Sequence, residues 1–116
     1  MTYNLEYSQI VRQKMRNLKS YLTDMFGYQN AMRTMESIFS SIDTLGVFPL
    51  KGISLSEMYE IETEYRFIFT NHNYIFYYIE GETVYSIEMF DEKEDFMLSL
   101  FGLSSESEES FQYWGE

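Results

Sequence analysis

Cysteine is absent from the 116 residues, and proline occurs only once, at Pro49. Without a thiol there is no disulfide framework, no thiolate metal site and no cysteine nucleophile, so stability has to come from packing. Basic residues are also scarce, 8 against 19 acidic ones, for a net charge of −11. Such a field repels nucleic-acid phosphates over most of the surface and favours a basic partner, so direct nucleic-acid binding is not expected. Long apolar runs are missing too: no window approaches the roughly 18 residues of a membrane span. The opening MTYNLEYSQIVRQKMRN lacks the apolar core of a signal peptide. These absences describe a soluble, non-secreted, cytoplasmic chain of one-domain length.

Aromatic side chains are abundant, with 11 Tyr and 10 Phe, which argues against disorder except at the ends. Charge is divided unevenly. Residues 1–53 hold six basic and four acidic residues, net +2, whereas residues 54–116 hold only Arg66 and Lys93 against fifteen acids, net −13. That acidity either recruits a basic partner or keeps an aromatic-rich protein soluble.

Hydrophobic periodicity divides the chain into elements. Tyr3, Leu5 and Tyr7 alternate with polar neighbours, the period of a half-buried strand. Val11, Met15, Leu18, Leu22 and Met25 then recur at helical spacing, with Gly27 as the stop, and Ala31, Met35, Ile38, Ile42 and Leu45 repeat the rhythm before Gly46. Two such helices joined at Gly27 fold back as an antiparallel hairpin whose stripes form core. Residues 50–64, LKGISLSEMYEIETE, read as a linker with a brief strand at Met58 to Ile61. YRFIF (65–69), NYIFYYI (73–79) and TVYSIEMF (83–90) follow as strands, and the short TNHN and EGE connections make them an antiparallel meander. Asp91 and Glu94 have the spacing of a capping box for a short final helix containing Phe96, Met97, Leu100 and Phe101 and ending at Gly102. The expected fold is α+β: an N-terminal strand, a helical hairpin packed on a sheet of mainly three C-terminal antiparallel strands, and a short C-terminal helix. Residues 1–103 form the domain, and 104–116 a Ser/Glu-rich tail with Phe111, Tyr113 and Trp114.

Over residues 3–102 the chain resembles the RelE/ParE superfamily of bacterial type II toxin–antitoxin toxins. The likeness rests on LEYSQIVRQKMRNLKSYLTDMFG, IDTLGVFPLKG, YRFIFTNHNYIFYYIEGETVYSIEMF and DEKEDFMLSLFG, in that order. The resemblance implies an active cleft on the concave side of the sheet, masked by a cognate antitoxin. It also implies one of two activities, ribosome-dependent messenger RNA cleavage as in RelE-like members or binding to DNA gyrase as in ParE-like ones. It places Arg66 where a strand arginine faces the cleft, and Lys93 in the closing segment, as the candidate catalytic residues. A guanidinium suits phosphate because its fork is bidentate and permanently charged; pairing with Glu60, Glu62 or Glu64 is the structural alternative for Arg66. The sequence departs from the RNA-cutting pattern in its cations, with Lys51 alone in the linker and no Tyr, His or Arg in residues 91–101.

Two binding surfaces are also candidates. Arg12, Arg16 and Lys19 flank the first helix as either a solvated face or a contact for acidic groups, and Asp91, Glu92, Glu94 and Asp95 as either a helix start or a contact for a basic partner. His72 reads as a turn residue. No cofactor is expected, and no metal, since the acidic cluster lacks the central glycine of a calcium loop. The functions that fit are a toxin-like component with an antitoxin partner and, alternatively, an acidic mimic of nucleic acid that blocks a basic target protein such as a nuclease, in the manner of an anti-CRISPR protein.

Overall fold

A computed structural model describes residues 2–102. The proposed tail, 104–116, lies outside the described residues. Strand β1 (Asn4–Tyr7) leads into helix α1 (Gln9–Phe26), and helix α2 (Tyr28–Asp43) returns antiparallel beside it. Ser8 starts α1: its hydroxyl oxygen accepts the Val11 N–H at 3.0 Å and donates to the Ile87 carbonyl at 3.0 Å. Gly27 is the whole connection. It donates its N–H to Thr23 and accepts that of Ala31, at a φ of +89° that favours glycine. The predicted stripes bury Val11 and Met15 on α1 and Ala31, Met35, Ile38 and Ile42 on α2, while Met25 at the tip is exposed.

After 3₁₀ turns at Thr44–Gly46 and Pro49–Lys51, the expected linker is more ordered than its composition suggests. Ile53–Ser54 pairs with the next strand as β2, and Leu55–Tyr59 forms α3 behind Ser54 as N-cap. The brief strand expected at Met58 to Ile61 is instead the end of α3, followed by Glu60 in the left-handed region at φ +57°. Leu55 and Tyr59, one turn apart, are what α3 turns inward.

The meander is as expected: β3 (Arg66–Thr70), β4 (Asn73–Glu80) and β5 (Thr83–Asp91). Its loops are two residues each, Asn71–His72 with both φ positive, and Gly81–Glu82 with Gly81 at φ +61°. The sheet has five strands in the order β1-β5-β4-β3-β2, and β1 pairs parallel with β5, Asn4 opposite Thr83. Between Phe76 and Tyr77 the register shifts so that Ile87 is the extra residue of a bulge, and the Ile87 carbonyl is the one Ser8 holds.

Final helix α4 spans Phe96–Phe101, and its N-cap is Asp95, not Asp91. The reason is that β5 continues through Asp91. Only half of the expected Asp91–Glu94 box forms: the Glu94 carboxylate accepts the Asp91 N–H at 2.8 Å, while the Asp91 carboxylate takes the Lys93 N–H at 2.9 Å in place of that of Glu94, and these bonds close a turn. Asp95 then accepts the Leu98 N–H. Among the described residues no helix is long and apolar enough to cross a membrane.

Alternation along β4 directs Ile75, Tyr77 and Ile79 to the hairpin and Tyr74, Phe76 and Tyr78 to the opposite face. The hairpin side is completed by Ile68, Val84 and Met89, and full burial of each such side chain contributes about 1.5–3 kcal/mol.

Candidate functional site

The face turned away from the hairpin is aromatic. Phe67, Phe76 and Phe90 from the sheet meet Phe96 and Met97 of α4 and Leu55 of α3, with Phe96 lying 5.0 Å from the Tyr74 and Phe76 ring centroids and 6.0 Å from that of Phe67. Helices of six and five residues cannot cover the whole face. The less covered end holds Tyr78 on β4, Tyr85 on β5 and Tyr65, just before β3, whose ring also lies 6.3 Å from that of Phe101 at the end of α4; all three are half-buried. Tyr78 and Tyr85 are register partners with stacked rings, 5.2 Å apart and 21° from parallel, and Tyr65 lies 6.3 Å from Tyr78.

Beside this trio opens a hollow of about 820 Å3 lined by Ser56, Ile61, Glu62, Thr63, Glu64, Tyr65 and Tyr78. Its charged lining groups are both acidic. The Tyr78 hydroxyl stands at the surface, and its pKa is raised by loss of surrounding water first, then by Glu80, Tyr85, Tyr65 and Glu64. The field here is negative. Among the described residues only two ion pairs form, Lys14 with Glu88 at 2.8 Å and His72 with Glu92 at 2.9 Å, so Glu62, Glu64 and Glu80 have no cation within 4.0 Å.

Arg66 does not reach this hollow. It lies opposite Tyr77, on the hairpin side of the sheet, and its guanidinium donates to the carbonyls of Gly52 at 3.0 Å and Leu50 at 3.4 Å. It pairs with none of Glu60, Glu62 and Glu64. Tyr77 binds the same corner, donating to the Pro49 carbonyl at 2.7 Å and accepting the Gly52 N–H at 2.9 Å. Gly52 has to be small, because a Cβ there would sit 2.5 Å from the Tyr77 hydroxyl and 2.8 Å from the Phe67 carbonyl. The arginine and tyrosine thus hold the chain where it enters β2.

The remaining predicted residues fall in two places. Arg12, Arg16 and Lys19 are exposed along α1; Arg16 donates to Gln13, and the Lys19 ammonium lies 5.9 Å from the Tyr28 ring centroid. Lys14, between them, reaches back to β5 instead, where its ammonium donates to the Met89 carbonyl, pairs with Glu88 and sits 4.4 Å from the Phe90 ring centroid. Lys93, Asp91 and Glu92 border a hollow of about 470 Å3 facing Tyr21, Leu22 and Phe26 at the hairpin tip. Glu92 ties that turn to the β3–β4 loop through its pair with His72 and its N–H to the His72 carbonyl. Glu94 and Asp95 are used by the turn and the α4 cap. Lys93 and Arg66 therefore lie at separate places, not in one cleft. Among the described residues no group of three or more His, Asp or Glu is placed to hold a metal ion.

A further hollow of about 840 Å3 lies at the corner of the sheet, where Val47, Phe48 and Leu50 are exposed beside Tyr3 and Ile79. Sequence reasoning assigned no role to Tyr65, Tyr78 and Tyr85. The usable signal was the EGE loop: a two-residue turn at Gly81–Glu82 makes Tyr78 and Tyr85 opposite each other.

No protein-family model matches the sequence, and no curated protein matches it significantly. Among solved structures the chain is similar to one from the chromosomal ParDE TA system of P. aeruginosa, with a TM-score of 0.66 and 10% identity, over 78% of this chain and 96% of that one. The likeness is one of backbone arrangement. The chain has a RelE/ParE-like fold.

Proposed function

We propose that this chain is the toxin-like component of a type II toxin–antitoxin pair, acting in the cytoplasm by binding protein. The observation that carries the reading is the fold shared with a chain of the ParDE TA system over nearly the whole of that chain. Its partners are then a cognate antitoxin and a target protein, with a ParE-like gyrase target favoured over RNA. Cutting RNA requires cations that neutralise the phosphate as charge develops on it. The hollow on the open face offers Glu62 and Glu64 and no Lys or Arg, and Arg66 is occupied on the other side of the sheet. Exposed Val47, Phe48 and Leu50 add the kind of apolar surface that protein partners cover.

Induced expression of the chain alone should arrest bacterial growth, and co-expression of a small protein encoded beside it should restore growth and co-purify. Normal growth with no co-purifying neighbour would reject the reading. The acidity of the open face favours a second reading, an inhibitor that occupies a Lys/Arg-lined channel of a basic target such as a nuclease. That reading expects capture of a nuclease whose release rises steeply with salt, in place of an antitoxin.

A further inference from the structure

We propose that the tyrosine trio on the open face is a recognition site for an arginine side chain presented by a basic segment of a partner protein. The inference rests on the protein-binding reading above and names what the site would grip. Tyr78 and Tyr85 face each other on adjacent strands with stacked rings, and Tyr65, just before β3, lies tilted against Tyr78 at 6.3 Å. A tyrosine face carries negative potential, and a cation within about 6 Å of the ring centre is attracted to it. Glu62 and Glu64 line the adjoining hollow, and Glu80 and Glu64 act on the Tyr78 hydroxyl. None of these carboxylates has a cation partner among the described residues. Ring faces and carboxylates together define a ligand that is flat or small, and positive.

The fold already holds one cation by this chemistry. The Lys14 ammonium is set between the Glu88 carboxylate, at 2.8 Å, and the Phe90 ring, 4.4 Å from its centroid. At the trio the same two ingredients are present without the cation. Arginine fits better than lysine because a planar guanidinium can stack on a ring and still direct paired N–H groups at a carboxylate, and it is more weakly hydrated than an ammonium. Phosphate is repelled by the same groups. An apolar side chain would leave the carboxylates uncompensated.

The test uses the full chain and three short glycine–serine peptides that differ only in carrying one arginine, one lysine or one norleucine, followed by NMR of the tyrosine rings. The arginine peptide should shift the Tyr65, Tyr78 and Tyr85 signals saturably, the lysine peptide more weakly, and the neutral norleucine peptide not at all. Tyr78→Leu should weaken arginine binding about two- to fivefold, the range for an exposed cation–π contact, while Tyr78→Phe keeps the ring and the affinity. Glu62→Gln with Glu64→Gln should weaken binding and flatten its salt dependence. Equal binding of the norleucine peptide, shifts scattered over other acidic residues, or unchanged affinity in Tyr78→Leu would each overturn the proposal. Because the peptides need neither growth arrest nor an antitoxin, a silent growth assay with selective ring shifts rejects the toxin reading alone. The converse result rejects the arginine site alone.

Discussion

On the hairpin side of the sheet, Ile68, Ile75, Val84 and Met89 meet Val11, Met15, Met35, Ile38 and Ile42 under two long helices. On the other side, Phe67, Phe76 and Phe90 meet Phe96 and Met97 under two short ones, and the tyrosine end is left open. Aliphatic and thioether side chains interlock along a helix face and seal it completely. Aromatic rings can form a cluster with few covering residues and still present faces and edges to a ligand. The lesson is a division within one sheet, an aliphatic layer closed by two long helices on the hairpin side and an aromatic layer only partly covered on the other.

The sharpest way to break that division is to empty each side in turn. Ile38→Ala should cost about 2–5 kcal/mol of global stability, read by chemical denaturation, since Ile38 is fully buried under both layers. Leu100→Ala on α4 should cost less than about 1.5 kcal/mol, because the side chain is only half-buried and much of its surface already meets water, and hydrogen exchange should quicken in α4 while the hairpin keeps its protection. Equal global losses would show that the two sides are not distinct.

Next in size, Tyr77→Phe should cost about 1–3 kcal/mol, because the buried Gly52 N–H loses its acceptor and the Pro49 carbonyl its donor. This would place part of the stability at the corner held by Arg66. A smaller effect is confined to alkaline solution. Burial, and secondarily Asp43, raises the Tyr7 hydroxyl from 10.0 to about 12 in the folded chain. Since the folded state holds that proton more tightly, the associated stability is complete below pH 10 and is lost as pH rises toward 12. Wild type should therefore lose roughly 1–2 kcal/mol more than Tyr7→Phe across that window. Smallest, Asp95→Ala should cost about 1 kcal/mol through the lost α4 cap. Asp91→Ala, at an exposed turn, should change stability by less than about 0.5 kcal/mol.

Elements with many residues in phase were legible: the steps of three and four through α1 and α2, and the β-branched and aromatic runs of β3 to β5. Short or ambiguous ones were not. A two-residue strand such as Ile53–Ser54 has no period, and its existence depends on pairing with Phe67 and Arg66. Asp91 and Asp95 both satisfy helix-capping rules locally, and the choice was made by how far β5 runs. Arg66 was assigned to the cleft by the family resemblance, whereas its side of the sheet is set by alternation with Phe67, a buried member of the aromatic cluster. The tyrosine trio needed three strands in register at once, information that no single segment carries.

The parallel pairing of β1 with β5 has a consequence for synthesis. Ser8 and Ile87, bonded to each other, are 79 positions apart. As the chain emerges from the ribosome, β1 has no strand neighbour until β5, the last of the described strands, exists, while the hairpin of helices can form from local contacts alone. Completion of the sheet therefore waits for β5, and so does the open face with its three tyrosines.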